Sequence, residues 1–163
     1  MKIPIISDTH DDINATKKVL QILKSEGFDS LIHLGDFCSP FMIDLFSDFK
    51  VYSVMGNNDG DKVRLTRKML ENNFDFDDVT LEFSIAGKSI VLYHGTKEVI
   101  TNSLVRSGDF DIVLSGHTHK RVVSNEGCLH INPGTLNKSL SKEGKASFVV
   151  LDLNSLDIIE REL

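Results

Sequence analysis

The sequence predicts an α/β fold in which two packed sheets carry helices on their outer faces. Three observations support this. Through Glu71, short apolar runs alternate with helical periodicities, the β-α-β order that builds a parallel sheet. From Val79 onward the pattern changes to paired apolar runs joined across Gly or Asn, which is hairpin patterning. Five of the apolar runs end in Asp, Asn or His, so their carboxyl ends share one kind of chemistry. The chain of 163 residues is long enough for a single core, and one domain over 1–163 is expected.

Each element has a local reason. Ile3 to Ser7 reads as a buried strand ending at Asp8. Pro4 lacks an N–H, so this strand is expected near an edge or with one unpaired position. Ile13, Val19, Leu20, Ile22 and Leu23 give helical spacing over Ile13 to Glu26, with Asp11 or Asp12 as cap and Gly27 as stop. Ser30 to Leu34 is a second strand, leading into Gly35-Asp36. Ser39-Pro40 opens a short helix through Phe46, with proline in its first turn. Val51 to Met55 is a third strand, and Asp61 to Glu71 a helix. Residues 72–78 are acidic and irregular, and are expected to form an exposed loop. Val79 to Ile85 and Ser89 to His94 form a hairpin around Ala86-Gly87-Lys88. Val99 to Ser107 is a helix ended by Gly108, and Asp111 to Ser115 a strand leading to Gly116-His117. Arg121 to Ser124 pairs with Cys128 to Asn132, and Ala146 to Leu153 with Asp157 to Leu163.

Composition narrows the function. Hydrophobic residues make up 40% and charged residues 26%, as in ordinary globular domains. The net charge of -6 argues against stable binding to nucleic acid or anionic membrane, which both need a positive surface. Lys17-Lys18 and Arg67-Lys68 are short pairs on helix faces, so a nuclease is disfavoured. Cys38 and Cys128 stand outside any CxxC and read as plain thiols in a reduced, cytoplasmic setting. MKIPIISD reads as running straight into a strand, and no signal segment is expected.

The strand ends carry Asp8-Thr9-His10, Gly35-Asp36, Gly56-Asn57-Asn58-Asp59, His94-Gly95 and Gly116-His117-Thr118-His119. Ligands of open α/β sheets bind beyond the carboxyl ends of the strands. Side by side, these ends would gather Asp and Asn oxygens and up to four imidazoles, enough for two metal ions. Taken singly, each piece has an ordinary reading. Asp8 can cap a helix, Asn57-Asn58-Asp59-Gly60 is a turn signal, and His94 can be a core histidine. Gly-His-Thr-His is the least ordinary, since alternate residues on an extended segment share a side and His117 and His119 can converge. Five such pieces at strand ends are hard to assign to chance. Imidazole with carboxylate suits manganese, iron, zinc, nickel or cobalt rather than calcium. His33, mid-strand, is expected to be packed, and His130 structural.

The set D-x-H, G-D, G-N-x-D/E, H-G and G-H-x-H, running from residue 8 to 119, resembles the calcineurin-like metallophosphoesterase superfamily. The short chain and Ile131-Asn132-Pro133-Gly134-Thr135 resemble its small prokaryotic phosphodiesterase branch. The resemblance implies a four-layered αββα sandwich of two mixed sheets. It implies one metal held by Asp8, His10, Asp36 and His119, and another by Asp36, Asn57, His94 and His117, with Asp36 bridging. Manganese is the ion expected first. Many members have His where this chain has Asn58; Asn can donate to a phosphate oxygen but is no general acid.

The expected reaction is hydrolysis of a small phosphodiester by a hydroxide shared between two metals. Asn57 and Asn58 would orient the phosphoryl group, and Asp59 would support His10 or another ligand from behind. The alternative is a protein-binding scaffold of the same fold, as in a relative that serves a protein-sorting complex with a degraded metal site. Exposed edges of the C-terminal hairpins allow a homodimer or homotetramer.

Overall fold

The computed structural model describes residues 1–163. Two mixed sheets lie between helices. The first contains β1 (Lys2–Ile6), β2 (Ser30–His33), β3 (Lys50–Val54), β4 (Asp75–Asp77), β10 (Ser147–Asp152) and β11 (Ile158–Glu162), in the order β11-β10-β1-β2-β3-β4. Strands β1 to β4 run parallel, and the β10–β11 hairpin joins β1 antiparallel. The second contains β5 (Thr80–Ile85), β6 (Lys88–Tyr93), β7 (Ile112–Leu114), β8 (Arg121–Ser124) and β9 (Leu129–Pro133), in the order β5-β6-β7-β9-β8. Here β6, β7 and β9 are parallel, with a hairpin partner at either edge.

Pleating explains the layering, because alternate residues of a strand face opposite sides. Ile3, Ile5, Ile32 and Leu34 of the first sheet meet Ile90, Leu92, Ile112, Leu114 and Ile131 of the second in a core between the sheets. On the first sheet's other face, Ile6, Leu31 and Val51 pack under α1 (Ile13–Ser25), a 3-10 helix (Pro40–Phe46) and α2 (Lys62–Glu71). On the second sheet's outer face, Val91 and Val113 meet Val105 of α3 (Glu98–Ser107). This is the helix–sheet–sheet–helix order that the family resemblance implies.

The helix signals act where the sequence places them. Asp12, not Asp11, caps α1, accepting from the Ala15 amide at 2.9 Å, and Asp61 caps α2 through the Arg64 amide at 3.2 Å. One expectation is met by its second alternative, an unpaired position at Pro4, and one needs correction. Strand β1 is not near an edge: it sits between β10 and β2. Pro4 is accommodated because the parallel register with β2 begins one residue later, at Ile5 opposite Ile32. Nor are residues 72–78 simply a loop, since Asp75–Asp77 pairs parallel to β3 as an edge strand. Its charged outer positions hide this from periodicity, while Phe74 is buried beside it. No helix is long and apolar enough to cross a membrane.

Candidate metal centre

Every motif residue lies just beyond a strand end. Asp8 and His10 follow β1, Asp36 follows β2, Asn57 follows β3, His94 follows β6, and His117 and His119 follow β7. The two packed sheets therefore empty into one place, and the side chains form two clusters that share Asp36.

The first cluster is Asp8, His10, Asp36 and His119, whose ligand atoms all lie within 4.8 Å of one another. His119 Nε2 is 3.1 Å from Asp8 Oδ1, and His10 Nε2 is 3.4 Å from Asp36 Oδ2. The His10 and His119 Nε2 atoms face each other at 3.1 Å. The second cluster is Asp36, His94 and His117. His94 Nε2 is 3.4 Å from Asp36 Oδ2 and 3.2 Å from Asn57 Oδ1, which brings Asn57 to this side. His94 Nδ1 lies 2.6 Å from the Leu34 carbonyl. That contact requires a proton on Nδ1 and leaves the Nε2 lone pair pointing inward, the tautomer a metal-binding imidazole needs.

The charge balance also calls for cations. Asp8, Asp36 and Asp59 are buried to within 1% exposure, and their only ion-pair partners are histidines. Buried carboxylates without Lys or Arg are stable when they coordinate metal. The residues present thus fit two divalent ions with oxygen and nitrogen donors, and no cysteine ligand is among them.

The electrostatics follow from the same contacts. Burial alone would raise the Asp8 carboxyl, but hydrogen bonds from His10 and His119, the His94 charge and a bond from the Ser7 hydroxyl hold it far below the usual carboxylate range. Burial likewise opposes ionisation of Asp36, and His94 together with Asn58 outweighs it. Burial pulls the His10 and His94 rings down, but hydrogen bonds and charge from Asp8 and Asp36 raise both overall. Burial and the nearby His94 lower His117.

The backbone is forced into unusual shapes here. Five of the seven expected ligands have positive φ: Asp8 (54°), His10 (42°), Asp36 (60°), His117 (68°) and His119 (56°). Each such residue costs on the order of 1 kcal/mol and persists only where its surroundings impose it. The extended-segment reading of Gly-His-Thr-His is therefore corrected. His117 and His119 do reach the centre, but from a left-handed turn, and each joins a different cluster. Gly35, at φ +93°, lets the strand ends close up. A Cβ there would stand 2.7 Å from the Gly56 nitrogen and 2.8 Å from His94 Nδ1.

Supporting groups surround the ligands. Asp59 accepts from the amides of Gly56 (2.7 Å), Asp36 (3.0 Å) and Cys38 (2.7 Å), and so pins two strand ends together. It braces Asp36, and it makes no hydrogen bond to His10. Asn58 holds the Asp36 carboxylate twice, through its backbone N–H and through Nδ2, each at 2.8 Å. Sequence reasoning missed three supports. Ser7 donates to Asp8, and Thr135 Oγ1 donates to the Asp8 carbonyl at 2.7 Å. Asn132 Nδ2 donates to the Gly116 carbonyl (2.7 Å) and Thr118 Oγ1 (3.1 Å), bracketing His117. The only hint was the Asn-Pro-Gly-Thr segment, which spans the end of β9.

His33 and His130 stand apart from both clusters. His33 stacks on Phe37, with ring centres 3.6 Å apart, and burial pushes its imidazole down to about 3. His130 Nε2 meets the Ser115 hydroxyl at 2.9 Å.

Comparison with known proteins decides the family. The model of the calcineurin-like phosphoesterase superfamily domain matches residues 1–156. The chain belongs to that superfamily. Family membership places it among phosphoester hydrolases. Phosphodiesterase MJ0936 of Methanocaldococcus jannaschii is 35% identical over 140 residues, covering 82% of this chain and 83% of that one. Phosphodiesterase YfcE of Escherichia coli K12 is 28% identical over 174 residues, covering 98% and 91%. A solved structure described as a novel archaeal phosphodiesterase superposes with a TM-score of 0.91 at 31% identity, covering 100% of both chains. The two-sheet sandwich is thus the calcineurin-like fold.

Proposed function

We propose that the chain is a dinuclear metal-dependent phosphodiesterase acting on a small phosphodiester. The observation that carries this is the pair of candidate ligand clusters sharing Asp36, built on the buried carboxylates of Asp8 and Asp36, neither of which has a Lys or Arg partner. The phosphodiesterase names of its relatives support the same reaction class. Two divalent ions, manganese before nickel, iron, zinc or cobalt, would supply Lewis-acid charge and make hydroxide available near neutral pH for attack on phosphorus.

The chain's own residues have distinct parts. Asp8, His10, Asp36 and His119 would hold one ion, and Asp36, Asn57, His94 and His117 the other. Asn58 orients Asp36 and has no proton to give a departing alkoxide. The preferred substrates are therefore diesters whose leaving oxygen needs no general acid. Asp59 fixes the approach of β2 and β3 on which Asp36 and Asn57 ride. The acidic balance favours small substrates over nucleic acid, and the thiols of Cys38 and Cys128 fit a reducing cytoplasm.

The scaffold reading is disfavoured because none of the seven ligand positions has been replaced by an inert residue. Asp36→Asn tests the difference. It removes the charge both clusters share, so metal content should fall from about two ions per chain and hydrolysis should drop by at least about a hundredfold. A variant retaining full activity and full metal content would sink the proposal.

A further inference from the structure

Beside the metal centre, a cleft of about 480 Å³ opens between α3 and the β8–β9 hairpin. It shares His117 with the second ligand cluster, so a group esterified to phosphate at that cluster has the cleft next to it. Its volume suits a small ligand. A larger hollow of about 630 Å³ on the outer surface of α3 contains none of the metal-ligand candidates.

The lining of the cleft is chemically selective. Val122 is its only apolar side chain, and no Phe, Tyr or Trp is present. Proteins hold unpaired bases largely by stacking them on aromatic rings; the only rings lining this cleft are the imidazoles of His117, which belongs to the second ligand cluster, and His130, which is tied to Ser115. Polar groups face it instead. Ser115 is 2% exposed and its hydroxyl is tied to His130 Nε2, which leaves His130 Nδ1 without a protein partner. The Thr101 hydroxyl, on a residue 8% exposed, and the Asn102 amide make no hydrogen bond within the protein. Glu98 adds a carboxylate free of any ion pair. Such a set of donors and acceptors matches several hydroxyls at once, and the carboxylate repels a second phosphate.

We propose that this cleft receives one alcohol of the phosphodiester, and that this alcohol is a small uncharged polyol of the glycerol or sugar class. The proposal rests on the phosphodiesterase reading and adds the substrate class to it. Buried Asn132 closes the floor of the cleft while bracketing His117, so occupancy and metal geometry share one support.

The test is kcat/KM of the metal-loaded protein on p-nitrophenyl phosphodiesters whose second alcohol is glycerol, glucose, ethanol or thymidine. The nitrophenolate leaving group is constant, so differences report the second alcohol. The glyceryl or glucosyl ester should exceed the ethyl and thymidyl esters at least about tenfold. Whichever of the two leads identifies the source of the hydroxyls. Asn102→Ala, at an exposed position of α3, and Thr101→Val should each compress that preference to about twofold or less, with melting curves checking the fold. Equal rates across the series, or a preference surviving both substitutions, would overturn the proposal and leave the phosphodiesterase reading standing. Hydrolysis of none of the four would remove that reading and the polyol proposal together.

Discussion

The residue that gathers most of the site is Asp36, and its neighbours show how tightly single atoms are constrained. Gly35→Ala places a Cβ against the Gly56 nitrogen, just past β3, and His94 Nδ1, just past β6. Neither can move freely, because Gly56 is tied to Asp59 and His94 to Leu34. Gly35→Ala should therefore weaken metal binding at least about tenfold while the rest of the fold survives; isothermal titration with Mn and far-UV circular dichroism would check this together. The six residues that gather in the two clusters, and Asn57 beside His94, were legible in the sequence as candidates, because metal chemistry admits few residue types and the spacing repeats after each strand. The supports were less legible. Thr135 and Asn132 act on backbone carbonyls brought close only by folding, and Ser7, though next to Asp8 in the chain, is a residue type too ordinary at a strand end to mark its bond to that carboxylate. Asp59 was assigned to a ligand's support, but which ligand depended on the strand order.

At the scale of elements, β2 leads into a candidate ligand, Asp36, and holds a buried histidine within it. His33 is wholly buried between Phe37 and Phe46 and stays neutral down to about 3. Unfolded histidine takes up its proton near 6.5. Its folded pKa is lowered, so the unfolded state gains the proton first, and stability falls as pH drops below about 6.5. The loss is about 1.4 kcal/mol per pH unit. Between pH 6.5 and 5 the metal-free protein should lose about 2 kcal/mol more than His33→Asn does, from denaturant titrations at each pH. Parallel pH slopes would show that His33 does not titrate in this way. Elements with strong periodicity or caps were readable to within a few residues, as α1, α2 and the three hairpins show. Two were not. The central place of β1 was hidden because Pro4 usually argues for an edge, and β4 because a three-residue edge strand carries too few alternations to register.

At the scale of the whole molecule, the candidate ligands come from the ends of strands in both sheets, so the site depends on how the sheets pack. Leu114 sits fully buried in the inter-sheet core, three residues before His117. Leu114→Ala should cost about 2–5 kcal/mol by chemical denaturation, and should weaken metal binding as the β7 end gains freedom; loss of stability with unchanged affinity would show that the two are uncoupled. At the far edges, Arg121 of β8 reaches Glu143 at 2.9 Å and Glu160 and Glu162 of β11 at 3.1 Å, fastening one sheet to the other. The layered architecture was readable because β-α-β repeats followed by hairpins admit few packings. The convergence of both sheets on one centre was implied by the motifs rather than by periodicity. The most direct test is hydrolysis of a chromogenic phosphodiester and its matching monoester by metal-stripped protein, with Mn, Ni, Zn or Mg restored. The expected result is no turnover without metal, and restored turnover that favours the diester. Folded protein that binds metal yet turns over neither ester with any ion would contradict the catalytic account and favour a binding role.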